Sequence, residues 1–207
     1  MTKPTSAHFD SDRRTTTLYF PFDEERNGQY QDEFYMRGGI CWPMTIEIGG
    51  VTDVQGFILM AGQNVNTKKV HVFEQKSFVV VQNIIGEDGR IQFSGIAQFL
   101  NTCWSRYFGK DYFWNQDFNL KKSCHLEIIR HHEIEPKPAF IEIEWSDTSE
   151  AMTNIWKYVK TGRLLFDSGS ELHEQLQKTK ADDKQIYPAV WALMCLLSGL
   201  ERYPWRG

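Results

Sequence analysis

The chain has 207 residues, of which 41% are hydrophobic, 14% aromatic and 24% charged, and its formal net charge is −4. This composition supplies one sizeable core and argues against a disordered chain. Because a protein held on nucleic acid by charge alone is usually basic, we expect any contact with nucleic acid to depend on a local cationic patch, a metal or a partner.

The first 16 residues are polar and lack apolar periodicity, which predicts a flexible tail over 1–16 and a single domain over 17–207. The N-terminus lacks the apolar segment of a signal peptide, and no run reaches the ~20 apolar residues that span a membrane. The four cysteines form no Cys-x-x-Cys pair. We therefore expect a cytoplasmic protein that makes no contact with a membrane.

Three β-rich segments follow the polar start. Residues 44–48 alternate between apolar and polar side chains, and residues 56–65 and 70–81 are rich in β-formers. The segment 66–69 between the last two has the composition of a hairpin turn. These segments predict a three-stranded antiparallel meander.

The middle of the chain predicts one amphipathic helix and further strands. Apolar residues recur at helical spacing from Ser94, the predicted N-cap, to residue 108, and Gly109 is predicted to end the helix. Trp104 lies on the apolar stripe and is predicted to be in the core. Further strands are predicted at 112–114, 125–129 and 140–145.

The last third predicts one capped helix, a short helix and a long apolar helix. Asp147 and Glu150 have the spacing of a capping box ahead of the next helix. A short helix carrying Leu172 and Leu176 follows, and a long apolar helix covers 186–200. The predicted fold is therefore α/β, with a mixed β-sheet and helices on its faces.

This order of elements resembles that of ribonuclease H-like domains, and residues 140–205 are similar to the nuclease domain of bacteriophage large terminase subunits. The similarity rests on a strand that leads into a helix near Ser146, a Gly162-Arg163 turn, and an acidic pair before a helix rich in Ala and Leu. It implies DNA as a partner, together with proteins of a phage or mobile-element assembly. The motif G-x-x-x-x-G-K-[ST] of a motor ATPase is absent from the sequence.

The resemblance also implies a two-metal site for phosphodiester hydrolysis, with Mg²⁺ or Mn²⁺ held by carboxylates from separate elements. The first acid is Glu47 or Asp53, the second is Asp111 or Asp117, and the third position is the pair Asp182 and Asp183. The predicted metal ligands are Glu47, Asp53, Asp111, Asp117, Asp182 and Asp183, and the predicted catalytic residues among them are Asp53, Asp182 and Asp183.

A second interpretation gives these acids an ordinary structural role. Asp182 and Asp183 also suit the N-cap and first turn of the long helix, where a carboxylate interacts favourably with the helix dipole. Two functions therefore remain open. One is a metal-dependent DNA nuclease, and the other is a catalytically inactive binding or assembly module on the same scaffold. Trp114 and Tyr203 are candidates for exposed anchors of a protein partner.

Overall fold

A computed structural model describes residues 2–21, 28, 30–48, 51–79, 94–115, 137–145, 147–179 and 186–206. This part of the chain contains eight strands and four helices. The strands are β1 (Ser6–Asp10), β2 (Thr15–Tyr19), β3 (Gln31–Ile48), β4 (Val51–Asn64), β5 (Val70–Val79), β6 (Asp111–Trp114), β7 (Ala139–Glu142) and β8 (Leu164–Leu165). The helices are α1 (Ser94–Tyr107), α2 (Thr148–Lys160), α3 (Glu171–Lys178) and α4 (Pro188–Arg202). The predicted α/β class is confirmed, and the strand predicted at 125–129 lies outside the described residues.

All eight strands belong to one mixed sheet. Strands β1 to β5 pair antiparallel in chain order, and β8 pairs in parallel with β5. β3 also pairs in parallel with β6, and β6 pairs in parallel with β7. The predicted antiparallel meander is present and consists of β3, β4 and β5.

β3 is much longer than the strand predicted at 44–48, because it includes thirteen residues before that segment. Pairing along both edges offsets the low strand propensity of Gly38 and Gly39. A register shift between Cys41 and Met44 brackets a proline, which has no amide hydrogen to donate to the ladder. Tertiary pairing, rather than local composition, therefore determines the extent of β3.

β1 and β2 form an antiparallel hairpin over much of the segment that was predicted to be a flexible tail. The Asp10 carboxylate accepts hydrogen bonds from the amides of Asp12 at 2.9 Å and Arg13 at 3.0 Å, and Arg14 closes the turn with φ of 53°. Thr16 is buried, and β2 pairs with β3. Composition concealed this hairpin because its strands are stabilised largely by pairing rather than by apolar side chains.

α1 ends at Tyr107, one residue before the predicted end. Phe108 then adopts the left-handed conformation, with φ of 55°, and its amide donates to the Trp104 carbonyl at 2.9 Å. Gly109 was the expected residue for this turn. Its place in the sequence is explained instead by packing, since a Cβ there would lie 2.5 Å from the sulfur of Met60.

Of the helices of the last third, α2 begins after the predicted cap Asp147, whereas α4 begins two residues after its predicted start and has Tyr187, not Asp182 or Asp183, as its N-cap. Asp147 accepts hydrogen bonds from the hydroxyl of Ser149 and from its amide, the latter at 2.8 Å, and these bonds lower the pKa of the Asp147 carboxyl. Ser170 caps α3 by accepting from the amide of His173. α4 starts with Pro188, whose missing amide hydrogen costs nothing at that position. In the described part of the chain, no helix is long and apolar enough to cross a bilayer.

The sheet buries a different set of side chains on each side. The aliphatic face packs against α2, α3 and α4 and includes Leu59, Ile155, Leu172, Val190, Leu193 and Leu197. The aromatic face packs against α1, extends to Leu18 of β2, and includes Phe34, Trp42, Phe73, Tyr107, Tyr112 and Trp114.

Two tryptophans occupy environments opposite to those predicted. Trp104 is half-buried rather than part of the core, because its side of α1 meets the hairpin. Its ring contacts Phe9 edge-on at 6.4 Å and Phe108 at 5.3 Å. Trp114, a candidate for exposure, is only 4% exposed, because β6 lies inside the sheet. Tyr203 is 44% exposed, as predicted.

Candidate functional site

The structure places three of the six predicted metal ligands on two distant parts of the sheet. Glu47 and Asp53 lie near the end of the β3–β4 hairpin, where Asp53 pairs with Ile46. Asp111 is the first residue of β6. Asp117, Asp182 and Asp183 lie outside the described residues.

β3 separates Asp111 from the two acids of the hairpin. The first paired residue of β3 and β6 is Gly38, opposite Tyr112, so Asp111 lies level with Arg37. Ile46 lies nine positions further along β3 than that level, which is about 30 Å along an extended strand. A two-metal site holds its ions only ~3.5–4 Å apart, so these acids do not form one site together.

Asp111 forms an ion pair instead of standing free. Its Oδ2 lies 3.1 Å from Nη1 of Arg37, and the two side chains are only 19% and 12% exposed. Arg37 also donates to the carbonyl of Met36 at 2.7 Å and to the hydroxyl of Tyr35, and its Cζ lies 3.7 Å from the centre of the Tyr35 ring. Burial lowers the pKa of the Arg37 guanidinium, and the carboxylate of Asp111 counteracts this shift.

Carboxylates do not gather at any other described position in a way that suits a metal. Across the described ranges, no group of three or more His, Cys, Asp or Glu side chains is arranged to hold an ion. The proposed metal site therefore depends on Asp117, Asp182 and Asp183, for which it stays a prediction.

A pocket lies at a break in the strand pairing along one edge of β3. β2 pairs with β3 up to Phe34, and β6 pairs with the same edge from Gly38 onward, while β4 occupies the opposite edge at both levels. The gap leaves a pocket of about 390 Å³. Its wall includes Phe9 and Phe108 together with four charged residues, which are Arg14, Arg37, Lys110 and Asp111.

The charge of this pocket distinguishes it from two larger clefts. A cleft of about 700 Å³ beside β5 and β8 is lined by Asp32, Asp167 and His71. Another cleft, of about 780 Å³ beside α2 and α4, is lined by three glutamates and one arginine. The pocket between β2 and β6 has three cations against one carboxylate, so it is the cationic one of these three cavities.

Sequence reasoning did not select Arg14, Arg37 or Lys110. They lie far apart in the chain, and each follows or precedes ordinary strand residues. Their proximity depends on β2 and β6 sharing one edge of β3, which no local pattern encodes. The nearest signal was Asp111, which was selected for its carboxylate and lies in the same pocket.

Comparison with known proteins identifies no relative of this chain: no family model matches it, and neither the curated proteins nor the solved structures include a significant match.

Proposed function

We propose that this protein is a binding or assembly module on a ribonuclease H-like scaffold and that it does not hydrolyse nucleic acid. The strand arrangement supports the scaffold. The antiparallel meander β3-β4-β5 is extended on the β3 side by two parallel strands, β6 and β7, and α1 connects the meander to them. The proposed partners, which follow from the resemblance, are DNA and the proteins of a phage or mobile-element assembly.

The environment of Asp111 carries this proposal. A carboxylate that binds metal ions must present its oxygens to them, whereas Asp111 is largely buried against Arg37. The ion pair places the positive charge of Arg37 beside this carboxylate, where it would repel a metal ion. The register of β3 also places Glu47 and Asp53 far along the strand from Asp111.

A cleavage assay tests the proposal. Purified protein is incubated with supercoiled plasmid and with single-stranded DNA in millimolar Mn²⁺, beside the double variant Asp182→Asn/Asp183→Asn. We expect intact DNA with both proteins, and near-ultraviolet circular dichroism verifies that both are folded. Mn²⁺-dependent cleavage by the wild type that the double variant lacks would overturn the proposal.

The second candidate is the metal-dependent nuclease itself. The observation that favours it is the strand order, because β6 and β7 extend the meander on the side where the resemblance expects the second acid. In that case Asp117, Asp182 and Asp183 provide the ligands and Asp111 does not. The same cleavage assay decides between the two functions.

A further inference from the structure

The pocket between β2 and β6 concentrates positive charge on a protein whose formal net charge is −4. Arg37 is already paired with the carboxylate of Asp111. Arg14 and Lys110 form no ion pair with any described residue. Positive charges that share a concave surface raise the local concentration of anions, so the arrangement favours an anionic ligand.

The walls of the pocket are held in place before any ligand arrives. Two hydrogen bonds and the ion pair with Asp111 hold Arg37, and the hydroxyl of Thr16 donates to the carbonyl of Tyr107 at 3.0 Å. Arg14 and Phe108 both have left-handed backbone conformations, which are unfavourable for residues other than glycine and which cluster at functional sites. A preorganised wall reduces the entropy that is lost when a ligand binds.

Size and charge select among anions. The volume of about 390 Å³ lies within the range of about 300–1,000 Å³ that is typical of small-molecule sites. Three cations against one carboxylate match a phosphate monoester, which carries about −1.5 to −2 at neutral pH, better than a singly charged carboxylate. The rings of Phe9 and Phe108 stack at 5.7 Å with 20° between their planes, and they supply an apolar wall.

We propose that this pocket binds a phosphate monoester. Arg14 and Lys110 contact the phosphate, the rings of Phe9 and Phe108 contact the organic group, and Arg37 positions Asp111 and the floor of the pocket. The inference rests on the proposed binding function and gives that function its ligand class. Cleavage in the Mn²⁺ assay would overturn the binding function without removing phosphate binding, so the two failures are distinguishable.

Isothermal titration calorimetry on the full chain at low salt tests the ligand class. The probes are adenosine 5′-monophosphate, inorganic phosphate and adenosine. We expect the nucleotide to bind, inorganic phosphate to bind more weakly, and adenosine to give no measurable heat. Added NaCl should weaken nucleotide binding. A short oligonucleotide with and without a 5′-phosphate distinguishes the sources: a preference for the phosphorylated strand over the mononucleotide indicates a strand end, and the reverse indicates a free metabolite.

Two variants locate the binding site. Arg14→Gly removes the guanidinium at a position whose φ suits glycine, and Lys110→Gln removes an exposed charge. Each should weaken nucleotide binding by about tenfold or more, since a charge-assisted hydrogen bond is lost. The matched controls are Lys68→Gly, at another left-handed position with φ of 58°, and Lys69→Gln beside it in the β4–β5 turn.

The controls should bind the nucleotide as the wild type does. The proposal is overturned if the wild type binds neither the nucleotide nor inorganic phosphate. It is equally overturned if adenosine binds as tightly as the nucleotide, or if the control variants weaken binding as much as the two pocket variants.

Discussion

The two faces of the sheet are built from different side chains, and the cationic pocket lies at the edge of the face that is rich in aromatic rings. On the aliphatic face, three of the 22 buried residues are aromatic, and three helices cover it closely. On the aromatic face, eight of the 17 buried residues are aromatic, and α1 is the helix that packs against it within the described part of the chain. Large rings fill the core on that face, and the cationic pocket lies beside it, at the edge of β3 between β2 and β6.

On the aliphatic face, α4 lies directly against the sheet at Gly39. A Cβ on that glycine would collide with the carbonyl oxygen of Ala192 in α4. The absence of a side chain therefore lets a helix backbone contact a strand backbone. Both faces therefore contribute buried side chains to stability, and the proposed binding site lies at the edge of the aromatic face.

The largest effect is expected from removing the largest ring of the aromatic face. Trp42 is fully buried, and its ring lies 5.5 Å from that of Phe140. Trp42→Ala should reduce the free energy of unfolding by about 3–5 kcal/mol, because a cavity replaces the indole. Urea denaturation measures this value. Trp42→Phe is the control and should lose less, and equal losses for the two variants would show that ring packing is not the cause.

A smaller loss is expected from adding one methyl group to the aliphatic face. Gly39→Ala should reduce the free energy of unfolding by about 1–3 kcal/mol, since the backbone of α4 must shift to admit the Cβ. Gly95→Ala is the matched control, because its Cβ would meet only the mobile end of Lys76, at 3.3 Å. If both variants unfold at the same urea concentration, close packing of α4 on Gly39 is refuted.

The smallest effect of the three is expected at Trp104, which sharpens the contrast with Trp42. Trp104 is half-buried between Phe9 and Phe108 beside the pocket. Trp104→Ala should therefore cost about 1–2 kcal/mol, well below a fully buried tryptophan. The same urea titration measures it, and a loss equal to that of Trp42→Ala would place Trp104 in the core after all.

The sequence predicted the elements of the aliphatic face better than those of the aromatic face. α2 carries a cap and α4 carries an apolar run in its own sequence, so Asp147 and the stretch around Leu193 were sufficient to locate these two helices. The hairpin of β1 and β2 depends on pairing with distant residues. Threonines such as Thr16 became buried for that reason, although their composition is typical of a loop.

The pocket was harder to predict than either face. It exists because β2 leaves the edge of β3 at Phe34 and β6 joins it at Gly38. Local propensity carries no information about which strands share an edge. Asp111 was predicted to be a metal ligand because it is an aspartate, whereas its partner Arg37 became visible only from the register.

If Asp111 is the partner of a cation and not a metal ligand, its carboxylate should be energetically coupled to Arg37 whether or not a metal ion is present. A double-mutant cycle uses Arg37→Met, Asp111→Asn and the combined variant, with free energies of unfolding measured in EDTA and in millimolar Mn²⁺. We predict a coupling energy of about 0.5–3 kcal/mol that Mn²⁺ does not change. A coupling energy near zero, or a stabilisation by Mn²⁺ that Asp111→Asn abolishes, would contradict the account.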